Sequence, residues 1–456
     1  MEKREKFSSR LGFILISAGC AIGLGNVYRF PIMTGAYGGA MFVLIYVAFL
    51  ILMGLPIMTA ELAVGRASRR SIASSFEVLE KKGQKWHWMK YLGICGNYML
   101  MMFYTVISSW MVIYFIKYID GSILSVHGAD ALGDVFGGVI SNTPVLFAST
   151  VSVIIAGFLI CALGLQNGVE KITKWMMIIL FALMFALAIY SCTLPEAAAG
   201  LRFYLVPSLE NIESVGWQTV LSAAMGQAFF TLSIGIGSIA IFGSSIDKDR
   251  RLAGEALAIV SLDTLVAVVS GLIIFPACFT YNGGVTADAG TVGAGFLFTT
   301  LASIFNSMQF GQIIGTLFFL FMIFAAMSTV IAVFENIMSF WLELTNLKRV
   351  HIALINIVIV LVLATACVLG LGPWSGIKLF GKGIMDLVDY AVSNLLLPVG
   401  SLFYVLFCTY RFGWGWDNYI KEVNTGKGIA VPKWLRFYAA YILPVMIIIV
   451  MIMSII

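Results

Sequence analysis

SAGCAIGLGNVYRFP, residues Ser17 to Pro31, lies in the first apolar run of the chain, a run long enough to cross a bilayer. Gly19, Gly23 and Gly25 interrupt it, and an amide, Asn26, and a charge, Arg29, follow. Each glycine costs roughly 1 kcal/mol in a helix interior, so an uninterrupted helix would not be written this way. In lipid, unwound backbone persists only where it faces protein or a water-filled cavity, and there its free N–H and C=O groups can bind something. The stretch therefore predicts a broken membrane helix. A second apolar run, GQAFFTLSIGIGSIAIFGSS from Gly226 to Ser245, is broken at Gly235 and Gly237, with Thr231 and Ser233 just ahead. Two interrupted spans in corresponding places of two halves point to a transporter's binding site.

Composition bounds the rest. Of 456 residues, 60% are hydrophobic and 11% charged, against about 25% charged in soluble domains, which excludes a water-soluble chain. Apolar runs of about 20 residues predict eleven spans, starting near Leu11, Ala40, Lys90, Val145, Thr173, Trp217, Leu252, Gly311, Ile352, Met385 and Trp434. The expected fold is an all-α membrane protein with a single transmembrane domain over residues 1–456. The amino-terminal segment and alternate loops carry 23 of the 28 Lys and Arg, and positive-inside reasoning puts the amino terminus in the cytoplasm and the carboxyl terminus outside. The charged start precedes a run without a small-residue cleavage site, so no removable signal peptide is expected. Seven cysteines, mostly in apolar runs and without a CxxC, predict neither a disulfide nor a metal cluster. Three histidines, none near the breaks, and no nucleophile–base spacing argue against an enzyme. No nucleic-acid partner is expected. Two outer loops are long: Asp120 to Pro144, rich in Gly and Asp, and Tyr281 to Gln309, where GAGFLFTTLASIF reads as a short helix over the mouth or as plain linker.

GLGNVYRFP from Gly23 to Pro31, GQAFFTLSIGIG from Gly226 to Gly237, and AELAVGR from Ala60 to Arg66 together resemble the neurotransmitter:sodium symporter family. The match runs in order from Arg4 to the last helix. It implies two inverted five-helix repeats, about 11–195 and 215–412, with broken helices 1 and 6, and an extra C-terminal helix at about 434–456. Half-helix ends around a midplane site are known from such transporters, this family included. The implied activity is sodium-coupled import of an amino acid by alternating access, in a bacterial plasma membrane. A sensor on the same scaffold, which binds without carrying, is the alternative.

Sodium is a hard cation that calls for an oxygen cage. The resemblance places a first sodium site at the Ala21 carbonyl, Asn26, Thr231 and Asp263, and a second at the carbonyls of Gly19, Ile22 and Ala325 with the hydroxyls of Ser328 and Thr329. Taken alone, such hydroxyls often only bond the preceding turn or a neighbouring helix. Asp263 is the most informative residue, because a carboxylate near the middle of a span costs about 2.5 to 3.5 kcal/mol on insertion scales and marks an ion path. Family members commonly have Asn there, and those that need chloride place a Ser one turn on, where this chain has Ala267. Two sodium ions and no chloride are therefore expected. A protonated Asp bonded to a neighbouring helix is the plainer reading.

For the organic substrate, the resemblance makes Gly23 decisive, since monoamine-carrying relatives have Asp at that place. With Gly, the substrate must bring its own carboxylate, set against the N–H groups near Leu24 and Gly25 and the Tyr104 hydroxyl. Its ammonium would face carbonyls of Ala21, Phe230 and Thr231 and the Ser233 hydroxyl, with Thr329 also on the site. The side-chain pocket maps to Cys20, Leu100, Phe230, Ile236 and Val333, which implies a neutral, hydrophobic or aromatic L-amino acid. Arg29 with Asp389 matches the family's outer gate, and Arg4 with Glu343, helped by Phe7, its inner gate; without the match these are snorkelling residues or surface pairs. Glu61 is expected to accept from unwound backbone. One departure stands out: where many relatives have a proline ten residues after the glycine that opens the fifth span, this chain has Ile178.

Overall fold

The computed structural model describes residues 7, 9–213, 215–284 and 296–455. Its frame is a bundle of long apolar helices. The first span is two helices, α1 (Arg10–Ala21) and α2 (Gly25–Ala36), bent by 55° at the break. Ser9 caps α1, its hydroxyl accepting from the Gly12 N–H at 3.0 Å, and Ile22 ends it in an extended conformation. Then come α3 (Ala40–Ser68), α4 (Trp86–Ile119), α5 (Ala129–Ser141), α6 (Thr143–Ala162) and α7 (Leu165–Cys192).

The second half opens with α8 (Trp217–Thr231) and α9 (Ser238–Gly243), separated by unwound chain. Ser233, Gly235 and Gly237 take positive φ there, at 50°, 99° and 83°, a region where a Cβ is costly and glycine is not. Next are α10 (Leu252–Asn282), α11 (Gly311–Leu344), α12 (Arg349–Leu371), α13 (Ile384–Thr409) and α14 (Leu435–Met453). Among the described residues nine helices are long and apolar enough to span a membrane, ten if α1 and α2 count as one. The expected span from Trp217 is the pair α8 and α9, each half too short alone.

The Gly- and Asp-rich segment after Asp120, expected as a long loop, is partly helical. It contains α5, whose Leu132, Phe136 and Val139 are buried at helical spacing. Phe136 lies parallel to Phe298 at 4.8 Å, on the helical segment Phe296–Leu301 that continues as Ala302–Ser307. The start of the expected GAGFLFTTLASIF helix lies outside the described residues. Ile178 sits in the continuous stretch of α7, facing outward; the irregular turn of that helix is at Leu165–Glu170 instead.

Near the end of α3, Arg66 is completely buried. Its Nε donates to Glu422 Oε1 at 2.6 Å and its Nη1 to the Arg250 carbonyl at 2.6 Å, while Lys248 Nζ lies 3.2 Å from Glu422 Oε2. The guanidinium fork thus ties three segments that are distant in sequence.

Candidate functional site

The two breaks face each other. Because α1 stops at Ala21, its last carbonyls lack partners within the helix and form the negative end of its dipole. Two hydroxyls of α11 turn toward them. Ser328 Oγ lies 3.1 Å from the Ile22 carbonyl and 2.9 Å from that of Ala325. Thr329 Oγ1 lies 3.4 Å from the Gly19 carbonyl and 3.3 Å from that of Ile22. Gly19, Ile22, Ala325, Ser328 and Thr329 are thereby brought together as an all-oxygen cluster, chemistry that suits a hard cation.

A second cluster forms where α2, α8 and α10 meet. Asn26 Nδ2 donates to the Asp263 carboxylate at 2.8 Å and to its backbone carbonyl at 3.0 Å. Asn26 Oδ1 accepts from the Gly23 N–H at 3.1 Å, and Thr231 Oγ1 lies 3.3 Å from Asp263 Oδ2. Asn26 and Asp263 are fully buried. Ser270 Oγ, one helical turn beyond Ala267, donates to the Asn26 carbonyl at 2.9 Å. Gln227 Nε2 donates to the Gly25 carbonyl at 2.7 Å, and the Tyr46 ring packs on Phe30 of α2 at 4.9 Å. Tyr46 Oη and Gln227 Oε1 are buried with no hydrogen-bond partner among the described residues. Neither was expected at the site, although Gln227 lies inside the motif that identified α8.

Between the clusters is a small cavity lined by Ala21, Gly23, Gly25, Leu100, Tyr104, Phe230, Thr231, Ser233, Thr329 and Leu397. The Leu24 N–H donates to the Tyr104 hydroxyl at 2.9 Å. A Cβ at Gly23 would fall on that hydroxyl and lie 2.5 Å from Thr329 Oγ1, so only glycine leaves this corner open. The space to the centre of a water-sized sphere is about 10 Å³, room for one water, and an amino acid enters only if the lining moves apart. Leu397 was not anticipated. Its signal is SNLLLPVG, Ser393 to Gly400, where a proline interrupts an apolar span beside the irregular turn Ala391–Leu396. Cys20, Leu24, Ile236 and Val333 are buried but do not line the cavity. Ile236 is set back, its carbonyl taken by Asn97 Nδ2 at 2.8 Å.

Above the cavity, the Arg29 guanidinium lies over the Phe230 ring at 4.5 Å, and Asp389 accepts from Ser393 Oγ at 2.8 Å. Arg29 and Asp389 make no ion pair within 4.0 Å among the described residues. On the opposite side, Glu343 accepts from the Ser71 N–H at 2.6 Å and from Ser74 Oγ at 2.8 Å. Phe7 packs against Phe13 at 5.6 Å and Phe242 at 6.2 Å; Arg4 lies outside the described residues. Glu61, fully buried on α3, accepts from the N–H groups of Gly235 at 2.8 Å, Ile239 at 3.0 Å and Ala240 at 3.3 Å, so it satisfies the orphan donors at the start of α9.

Residues 4–126 and 137–456 match the family model described as the sodium:neurotransmitter symporter family. The chain is 31% identical to the uncharacterized sodium-dependent transporter YhdH of Bacillus subtilis, over 89% of this chain and 88% of that one. It is 29% identical to an uncharacterized sodium-dependent transporter of Haemophilus influenzae, over 99% of this chain and 98% of that one. Among solved structures it is similar to MhsT in complex with L-phenylalanine, with a TM-score of 0.87 and 34% identity, over 99% of this chain and 100% of that one.

Proposed function

The chain belongs to the sodium:neurotransmitter symporter family, and on that footing we propose that it imports a neutral hydrophobic or aromatic L-amino acid together with two sodium ions, without chloride. The observation that carries this reading is the corner at Gly23, bounded by the Tyr104 and Thr329 hydroxyls and free of any acidic side chain that would replace a substrate carboxylate. A carboxylate seated there reaches the Asn26, Thr231 and Asp263 cluster and completes the shell of the first sodium. The carbonyls of Ala21, Phe230 and Thr231 and the Ser233 hydroxyl hold the ammonium. The side chain is left to Leu100 and Phe230 in the cavity wall and, once the lining parts, to Ile236, Val333 and Cys20 behind it, none of them charged. MhsT, whose fold this chain shares, was solved with phenylalanine, which supports an apolar or aromatic side chain.

The second sodium is assigned to the cluster around Ser328 and Thr329. Arg29 with Asp389 closes the outer side and Arg4 with Glu343 the inner side. Two ions crossing about 100 mV down a tenfold gradient yield on the order of 7 kcal/mol, enough for about 10⁵-fold accumulation. The amino terminus is assigned to the cytoplasm and the carboxyl terminus to the outside of a bacterial plasma membrane.

The deciding experiment is uptake of each of the twenty amino acids into proteoliposomes under an inward sodium gradient. Accumulation of apolar or aromatic L-amino acids that vanishes without sodium is expected. Sodium-dependent binding without flux would instead indicate a sensor.

A further inference from the structure

Where α4 begins and α13 ends, the chain leaves an open groove of about 420 Å³ on the face that carries the basic loops. Its walls are aromatic and apolar. Trp86 lies parallel to Phe412 at 5.9 Å and edge-on to Phe403 at 5.9 Å, and the Trp86 indole N–H donates to the Phe412 carbonyl at 2.6 Å. Trp88, Met89 and Leu92 extend the apolar lining, and Gln84 and Lys85 add polar groups to it. The groove lies at the ends of two membrane spans, Trp86–Ile119 and Ile384–Thr409, the depth at which lipid headgroups meet acyl chains.

The rim has one sign of charge to spare. Lys85 lines the groove and Lys82 lies two residues before Gln84 of its lining; both are exposed and make no ion pair among the described residues. Lys81 Nζ donates to the Arg411 carbonyl at 2.9 Å, which holds a third ammonium and the Arg411 segment beside the groove. The nearest carboxylate in the chain, Glu80, is already engaged: it lies 2.6 Å from His87 Nδ1 and accepts from the His87 N–H at 3.1 Å. Glu77, exposed on Ser75–Leu79, is the remaining acid in this loop. An aromatic belt alone explains the tryptophans but neither the concavity nor the unpaired lysines.

We propose that this groove binds an anionic phospholipid, one acyl chain lying along Trp86, Leu92 and Phe403 and the headgroup phosphate held by Lys82 and Lys85. The site is coupled to the inner side of the candidate pathway through packing. Phe407 contacts Trp86 at 5.3 Å and Phe76 at 4.7 Å, and Phe76 follows Ser71 and Ser74, which hold Glu343. The proposal is independent of which substrate the chain carries.

The test is native mass spectrometry of the full chain in detergent, titrated with phosphatidylglycerol or with phosphatidylcholine of the same acyl chains. The natural chain should retain phosphatidylglycerol preferentially. A lysine beside an anionic lipid surface is worth about a fivefold factor, so Lys82→Gln with Lys85→Gln should cut that retention by tenfold or more, to the phosphatidylcholine level. Lys171→Gln with Lys174→Gln, on another basic loop, should leave the preference intact, and glycerol phosphate should not displace the lipid. Equal retention of both lipids by the natural chain would overturn the proposal. So would a preference that survives in the Lys82/Lys85 variant, or displacement by glycerol phosphate alone.

Discussion

One nitrogen of Asn26 serves Asp263 twice, donating to its carboxylate at 2.8 Å and to its backbone carbonyl at 3.0 Å. The amide oxygen of Asn26 is thereby turned toward the Gly23 N–H, and the orientation of the first break is set by a side chain on α10. Asp263 is thus both a charge and the partner that positions Asn26. Replacing it with Asn keeps an oxygen acceptor and removes the charge. In Asp263→Asn the sodium concentration for half-maximal uptake should rise about tenfold or more, whereas uptake by the natural chain should be unchanged when gluconate replaces chloride. Adding Ala267→Ser should partly restore uptake by the variant in chloride. An unaltered sodium dependence in Asp263→Asn would show that the carboxylate is not the charge the site relies on.

At Gly23 the prediction is steric as well as chemical. A Cβ there meets the Tyr104 hydroxyl and Thr329 Oγ1, so Gly23→Ala should abolish amino-acid uptake while leaving the chain folded in detergent. On the natural chain, an amine lacking the carboxylate loses charge-assisted hydrogen bonds worth about 1.5–3 kcal/mol each. Tyramine should therefore compete at least tenfold more weakly than tyrosine in a scintillation proximity assay.

Ser328 and Thr329 bring side-chain hydroxyls to the carbonyl cluster at the end of α1. Removing both hydroxyls should weaken sodium binding by about tenfold or more, taking about 1 kcal/mol for each. Steady-state uptake against sodium concentration in Ser328→Ala with Thr329→Ala reads this directly. The cooperativity of that curve should fall toward one if each cluster takes one ion.

Arg66 is the clearest stability test. Replacing it with Ala leaves Glu422 buried with Lys248 as its remaining partner, and breaking a buried pair by removing one member typically costs about 3–5 kcal/mol. Thermal unfolding in detergent should show a large drop for Arg66→Ala. A Lys replacement, which lacks the fork that reaches both Glu422 and the Arg250 carbonyl, should recover little of it.

What could be read in advance was whatever has a local cost. Glycines in an apolar run, Asn26 beside them and Asp263 in a span are each expensive in lipid, and the structure gathers them at the breaks. Features whose cost is offset by distant partners were hidden. The segment that holds α5 reads as a long loop rich in Gly and Asp, and its helix is stabilised by packing of Phe136 on Phe298 from a segment distant in sequence. Leu397 joins the cavity beside the irregular turn of α13, and Tyr46 reaches the first break through its ring contact with Phe30 at 4.9 Å. The Ser71 and Ser74 contacts to Glu343 join residues about 270 positions apart and leave no mark at either end.

The contact of Glu61 with the start of α9 has a mechanical meaning. Gly65, one turn along α3, lies so close to α9 that a Cβ there would be 3.0 Å from the Ala240 Cα, and Gly243 would bring one equally near Leu62. Carboxylate clamp and backbone contact together weld the short helix to its long neighbour. A pull on α9 is therefore a pull on the lower half of α3, and the pair must swing as one lever. Unwound chain from Leu232 to Gly237 bounds that unit on one side and the irregular turn Leu50–Gly54 on the other. Stiffening either joint would slow the stroke without touching anything that the cargo contacts.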